Sequence, residues 1–102
     1  MDYEIHKTLV ASTGHITAED NDQLIHDADS NSFANLIVYC LDNFGHIIFI
    51  PEIEDPDTKD TIAEVYSHPL RKLMEITRQQ GCNYLRVDCD GPIYENLPTF
   101  EW

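Results

Sequence analysis

Residues 35–50 read NLIVYCLDNFGHIIFI. Two β-branched and aromatic runs, 35–41 and 46–50, flank Asp42-Asn43-Phe44-Gly45, which supplies the asparagine and glycine that a short hairpin loop demands. An antiparallel strand pair is expected here. Pro51 ends it, because proline cannot donate to a strand ladder. The EIEDPDTKD that follows at 52–60 reads as a solvated acidic loop.

Working outward toward the N-terminus, EIHKTLVAS at 4–12 alternates in part through Ile5, Leu9 and Ala11 and passes for a strand. Gly14 permits a tight turn. Thr17 then offers a capping hydroxyl, and Glu19 and Asp20 place negative charge in a first turn, where the helix dipole favours it. A helix from 18 to about 28 is expected, with Leu24, Ile25 and Ala28 as its apolar stripe. On the other side of the hairpin, Ile62, Val65, Pro69, Leu73 and Ile76 recur at helical spacing over 58–80. Pro69 should break that run, Ser67 can cap the segment that restarts, and Gly81 stands where its C-terminus belongs. Tyr84 to Cys89 alternates strictly, with Leu85, Val87 and Cys89 on one face and Arg86 and Asp88 on the other.

The element order is β-α-β-β-α-β. It implies an α+β, two-layer sandwich of the ferredoxin-like type, with a four-stranded, mostly antiparallel sheet and two helices on one face. The chain has 102 residues, no internal repeat and no linker-like stretch, so residues 1–102 read as a single acidic domain. The tail GPIYENLPTFEW is expected to be ordered, its aromatics packed on the sheet or on a partner.

Nineteen acids against six Lys and Arg give a formal charge of −13, beyond the magnitude of about 2–8 that keeps a small domain soluble. Residues 1–58 hold twelve of the acids and one base, Lys7. Self-repulsion on this scale opposes compaction, and phosphates would add to it, which excludes direct nucleic-acid binding. No apolar run is long enough to span a membrane, and the N-terminal residues lack the pattern of a secretion signal. A cytoplasmic protein with no membrane partner is expected. Cys40, Cys82 and Cys89 are odd in number and lack metal-finger spacing, so reduced thiols are expected, with Cys40 and Cys89 buried.

Two motifs bear on chemistry. In STGHIT, residues 12–17, His15 either completes a strand-to-helix turn through backbone hydrogen bonds or acts as a general base or metal ligand, with Ser12 or Thr13 beside it and Asp88 or Asp90 orienting the ring. The turn is the favoured reading, because no GxSxG, HExxH or paired-carboxylate signature accompanies His15. Asp88-Cys89-Asp90-Gly91 presents two carboxylates that could hold a hard cation, but its glycine comes too early for a calcium loop and a turn after the last strand is favoured. His6, His26, His46 and His68 have no ligand-like spacing, and neither cofactor nor metal is expected.

STGHIT at the front and CNYLRVDCDGPIYENLPTFEW at the end together resemble a small family of bacterial and phage- or plasmid-borne proteins without an assigned activity. Ser12, Thr13, Gly14, His15, Ile16 and Thr17 match its first motif; Asp88, Asp90, Gly91, Pro92, Leu97, Pro98, Thr99, Glu101 and Trp102 match its second. The resemblance implies a mobile-element context and carries over no catalytic role.

The acids in two runs, Glu19, Asp20, Asp22, Asp27 and Asp29, then Glu52, Glu54, Asp55, Asp57 and Asp60, make up ten of the nineteen. Either they solvate the surface or they form a face for a basic partner. Carboxylates along a ridge can stand in for phosphates in the Arg/Lys groove of a nucleic-acid-binding protein. The leading expectation is a non-enzymatic DNA mimic that inhibits a host defence complex, of anti-CRISPR or antirestriction type. The alternatives are a small hydrolase or metal-dependent enzyme centred on His15 with Asp88 and Asp90, and a homo-oligomeric module, such as a homodimer, joined through an exposed sheet and the aromatic tail.

Overall fold

The structure, a computed structural model, describes residues 3–30, 38–41, 45–50 and 62–101, with the side chains of 29 and 30 excepted. The expected loop at 52–60, the hairpin turn at 42–44 and Trp102 lie outside the described residues.

β1 (Thr8–Ser12) passes through a 3-10 turn (Thr13–His15) into α1 (Ala18–Ser30). Thr17 Oγ1 accepts the Asp20 N–H at 3.1 Å and Asp20 Oδ2 accepts the Thr17 N–H at 3.3 Å. This reciprocal cap explains why the helix starts where it does. β2 (Val38–Cys40) and β3 (Gly45–Phe49) form the expected antiparallel pair. After a helical turn at 62–65, α2 (His68–Gln79) starts afresh, with Ser67 Oγ accepting the Leu70 N–H and Pro69 in the first turn, where a missing donor costs nothing. Gly81, at φ +73°, ends it. β4 (Tyr84–Asp88) closes the sheet.

The fold is α+β around an open, mixed four-stranded sheet of order β1-β4-β3-β2. β1 pairs with β4 in parallel, and the other two pairs are antiparallel. This corrects the expected ferredoxin-like arrangement, in which β1 would neighbour β3. Here β4 enters between them and β1 becomes an edge. Element order alone does not say which slot the last strand takes. Leu85 and Val87, both fully buried, prefer the central one.

Register puts Ala11, Val87 and His46 on one face with Leu85, Ile48 and Val38. Leu24 of α1 and Leu70, Leu73 and Met74 of α2 join them in one core cluster, so both helices cover that face. The buried stripe of α1 is Asp20, Leu24 and Asp27, whereas Ile25 is exposed. The expected Leu24–Ile25–Ala28 stripe is therefore rotated by two aspartates that find partners inside.

The opposite face carries Val10, Tyr84, Arg86, Ile47, Phe49 and Tyr39, with Phe49 edge-on to Tyr84 at 5.6 Å. Tyr39 remains well exposed. None of Cys40, Cys82 and Cys89 is in a disulfide, and Cys40 and Cys89 are exposed rather than buried. β4 ends at Asp88, which leaves Cys89 in the following turn, and Cys40 closes an edge strand. Among the described residues, no helix is long and apolar enough to cross a membrane.

Candidate functional site

The first and last motifs of the chain meet. Gly91 lies against β1 so closely that a Cβ there would fall 2.5 Å from the Ala11 carbonyl oxygen. From that point the tail runs along the end of β1. Pro92 C=O accepts the Ser12 N–H at 2.9 Å, and the Tyr94 hydroxyl donates to Val10 C=O at 2.6 Å. Farther on, the Phe100 N–H donates to Gly14 C=O at 2.7 Å. Tyr94 and Leu97 pack on the core, so this part of the aromatic tail serves its own domain.

His15 is at the centre of this joint and 1% exposed. Its Nε2 accepts the Tyr94 N–H at 2.9 Å. That fixes the tautomer: the ring proton sits on Nδ1 and is donated to Pro98 C=O, 2.8 Å away. The imidazole also stacks on the Tyr94 ring, with centroids 5.9 Å apart. Both nitrogens are spent on backbone groups. In this geometry the lone pair that a base or a metal ligand would need already accepts the Tyr94 N–H. Ser12 is similarly engaged, its Oγ accepting the Gly14 N–H at 3.0 Å.

Asp88 and Asp90 do not orient His15. Asp88 Oδ2 accepts from Arg86 Nε at 2.9 Å and Nη2 at 2.8 Å, and its Oδ1 accepts the Asp90 N–H at 2.9 Å. The Asp90 N–H first, and then the Arg86 guanidinium, hold the Asp88 carboxyl below its ordinary value. Among the described residues, Asp88, Cys89 and Asp90 are the group whose ligand atoms could gather round a cation, all lying within 4.8 Å of one another. Any cation there competes with Arg86 for Asp88.

The acidic ridge divides. Glu19 and Asp22 are exposed on α1. Asp20 and Asp27, at 1% and 3% exposure, are buried and leave the proposed partner face. Asp20 Oδ1 accepts the Ser67 N–H at 2.8 Å, and the Ser67 hydroxyl donates to its other oxygen. Asp27 accepts from the Tyr66 hydroxyl and, at 3.0 Å, from Gln23 Nε2. Buried carboxylates persist because these donors replace the water they lose. The side chain of Asp29 and the residues Glu52, Glu54, Asp55, Asp57 and Asp60 lie outside the described residues.

Tyr94, Tyr66, Ser67 and His46 were not legible as site residues. Each matters through a partner more than twenty positions away, and no local pattern announces such a contact. His46, 2% exposed, has Nε2 at 2.9 Å from Asn21 Oδ1 while its Nδ1 is unpartnered; burial lowers its pKa from 6.5. A shallow groove of about 270 Å³ between Leu9, α2 and the tail is lined by Leu73, Ile76, Gln80, Tyr94, Asn96 and Leu97.

The chain belongs to a family of unknown function, DUF5983, whose C-terminal domain matches residues 8–102. No curated protein and no solved structure matches it.

Proposed function

We propose that the domain is a non-catalytic binding module whose acidic surface engages a basic, nucleic-acid-binding surface of another protein in the cytoplasm. One observation carries this reading. The groups able to do chemistry at the junction of the two motifs, above all both nitrogens of His15, are committed to holding the tail, while a formal charge of −13 is left to act on the surroundings. Glu19, Asp22, Glu64, Glu75, Glu95 and Glu101 are exposed. Surface carboxylates attract a basic groove over a Debye length of about 8–10 Å and raise the rate of encounter more than they lower the rate of release.

The narrower form of the proposal is a DNA-mimicking inhibitor of a host defence complex, of anti-CRISPR or antirestriction type. Small size, extreme charge and the resemblance of the end motifs to mobile-element proteins support it; the last is an association, not a physical argument.

The test is a pull-down of the tagged chain from host lysate at low salt, with heparin or duplex DNA as competitor. A basic nucleic-acid-binding protein displaced by either polyanion is the expected catch. Glu19→Lys with Asp22→Lys should slow association severalfold and leave folding intact. Affinity unchanged at low salt would remove the α1 surface from the site, and an absence of any displaceable basic protein would defeat the proposal in that host.

A further inference from the structure

His15 and His46 are both buried, at 1% and 2% exposure, but they differ in how their rings are used. Both nitrogens of His15 hold the tail. In His46 only Nε2 is engaged, 2.9 Å from Asn21 Oδ1. An amide oxygen can only accept, so Nε2 carries the ring proton and Nδ1 keeps a lone pair. Nδ1 is shut off from solvent and, among the described residues, has no hydrogen-bond partner. A buried acceptor without a donor destabilises the fold unless something binds it.

The sheet register supplies its neighbours. His46 stands opposite Cys40 on β2 and opposite Val87 on β4. The Leu41 N–H donates to Gly45 C=O at 2.8 Å, a bond that flanks a non-hydrogen-bonded pair. Cys40 and His46 are therefore the close kind of cross-strand pair, with Cα atoms about 4.5 Å apart and side chains on the same, helix-covered face. His46 and Val87 form the wider kind, and Val87 has no polar side-chain atom. Nε2, at the outer end of the ring, reaches α1 through Asn21, whereas Nδ1 is one bond nearer the sheet and so nearer Cys40. Cys40 is exposed and is not in a disulfide.

We infer that Cys40 Sγ and His46 Nδ1 form a two-donor site for a soft monovalent cation, Cu(I). Thiolate and neutral imidazole are the donors that copper prefers, and Cu(I) is satisfied by two of them. Zinc needs four ligands and hard cations need oxygens. Among the described residues, no third His, Cys, Asp or Glu gathers at this pair. Cys89 stands instead among carboxylates, one of which Arg86 holds, and offers a harder donor set.

On binding, the Cys40 thiol gives its proton to water, a copper–sulfur bond forms, and the Nδ1 lone pair completes the pair of ligands. The ion enters and stays as Cu(I), so no electron moves. Burial keeps the imidazole neutral, as a ligand must be. Asn21 acts from behind the ring: by holding the Nε2 proton it fixes the tautomer that leaves Nδ1 open. The exposed sulfur meets the ion first, and the enclosed nitrogen then shields it from water. Nothing in this site depends on the acidic surface, so it stands apart from capture of a basic partner.

Cu(I) supplied anaerobically against bicinchoninate as competitor tests the inference. The full chain carries Cys82→Ser and Cys89→Ser, which leaves Cys40 as its one thiol. This chain should hold one equivalent of copper. Adding Cys40→Ser or His46→Gln should surrender it to the competitor. Nitrogen NMR of the copper-binding chain gives a reading that does not depend on how those variants fold: copper should move the His46 Nδ1 resonance and leave the proton on Nε2. No retained copper, copper held equally well after His46→Gln, or an Nδ1 resonance that copper does not move would each overturn the inference.

Discussion

The Tyr94 N–H donates to His15 Nε2 across 2.9 Å and 79 positions of sequence. Through this bond the strand-to-helix turn at the front of the chain and the tail at its end form one structural joint, and each motif supplies the partner that the other needs.

His15→Ala leaves the Tyr94 N–H and the Pro98 carbonyl without partners and opens a cavity beneath the Tyr94 ring. It should cost about 2–4 kcal/mol in urea unfolding. Any partner binding should then follow the folded fraction and not fall independently of it, which separates a structural histidine from a chemical one.

Gly91→Ala tests the same joint from the tail. The added Cβ meets the Ala11 carbonyl, which is backbone and cannot turn aside. The tail must lift, at a cost of about 3 kcal/mol, the upper end of overpacking penalties. Hydrogen exchange at the Ser12 and Tyr94 amides should accelerate. The double variant with His15→Ala should lose clearly less than the sum of the two, because both undo one docking event.

Tyr66→Phe removes the hydroxyl donated to buried Asp27. Loss of a hydrogen bond to a charged group predicts a cost of about 1.5–3 kcal/mol, smaller when Asp27→Asn accompanies it. Burial, and then Asp27, raise the Tyr66 pKa above its ordinary 10.0. Above that pH the unfolded chain gives up this proton first, so stability present at lower pH declines as pH rises. The Tyr66→Phe variant should lack that part of the alkaline decline.

His46 provides the acid-side test. Its folded pKa lies below the unfolded 6.5 because burial disfavours the imidazolium. As pH falls through 6.5, the unfolded state takes up a proton that the folded state refuses, and stability declines. His46→Gln, whose amide can still donate to Asn21, should flatten this component between about pH 7 and pH 5 in denaturant titrations.

The sequence by itself determined what depends on neighbours a few positions apart. Alternation and turn chemistry placed the hairpin strands. Thr17 with Asp20, and Ser67 with Pro69, set both helix starts through bonds within one turn, and Gly81 ended the second. The net charge was also legible, because it is a sum and needs no geometry.

Only the tertiary structure decided the rest. Whether β4 entered the centre of the sheet depended on where two fully buried residues, Leu85 and Val87, could find cover on both flanks. Asp20 and Asp27 resembled their exposed neighbours Glu19 and Asp22 until Ser67 and Tyr66, about forty residues away, supplied donors for them. His15 showed the same dependence: an imidazole's role is fixed by what its two nitrogens face, and here both faced a tail more than seventy residues farther along the chain.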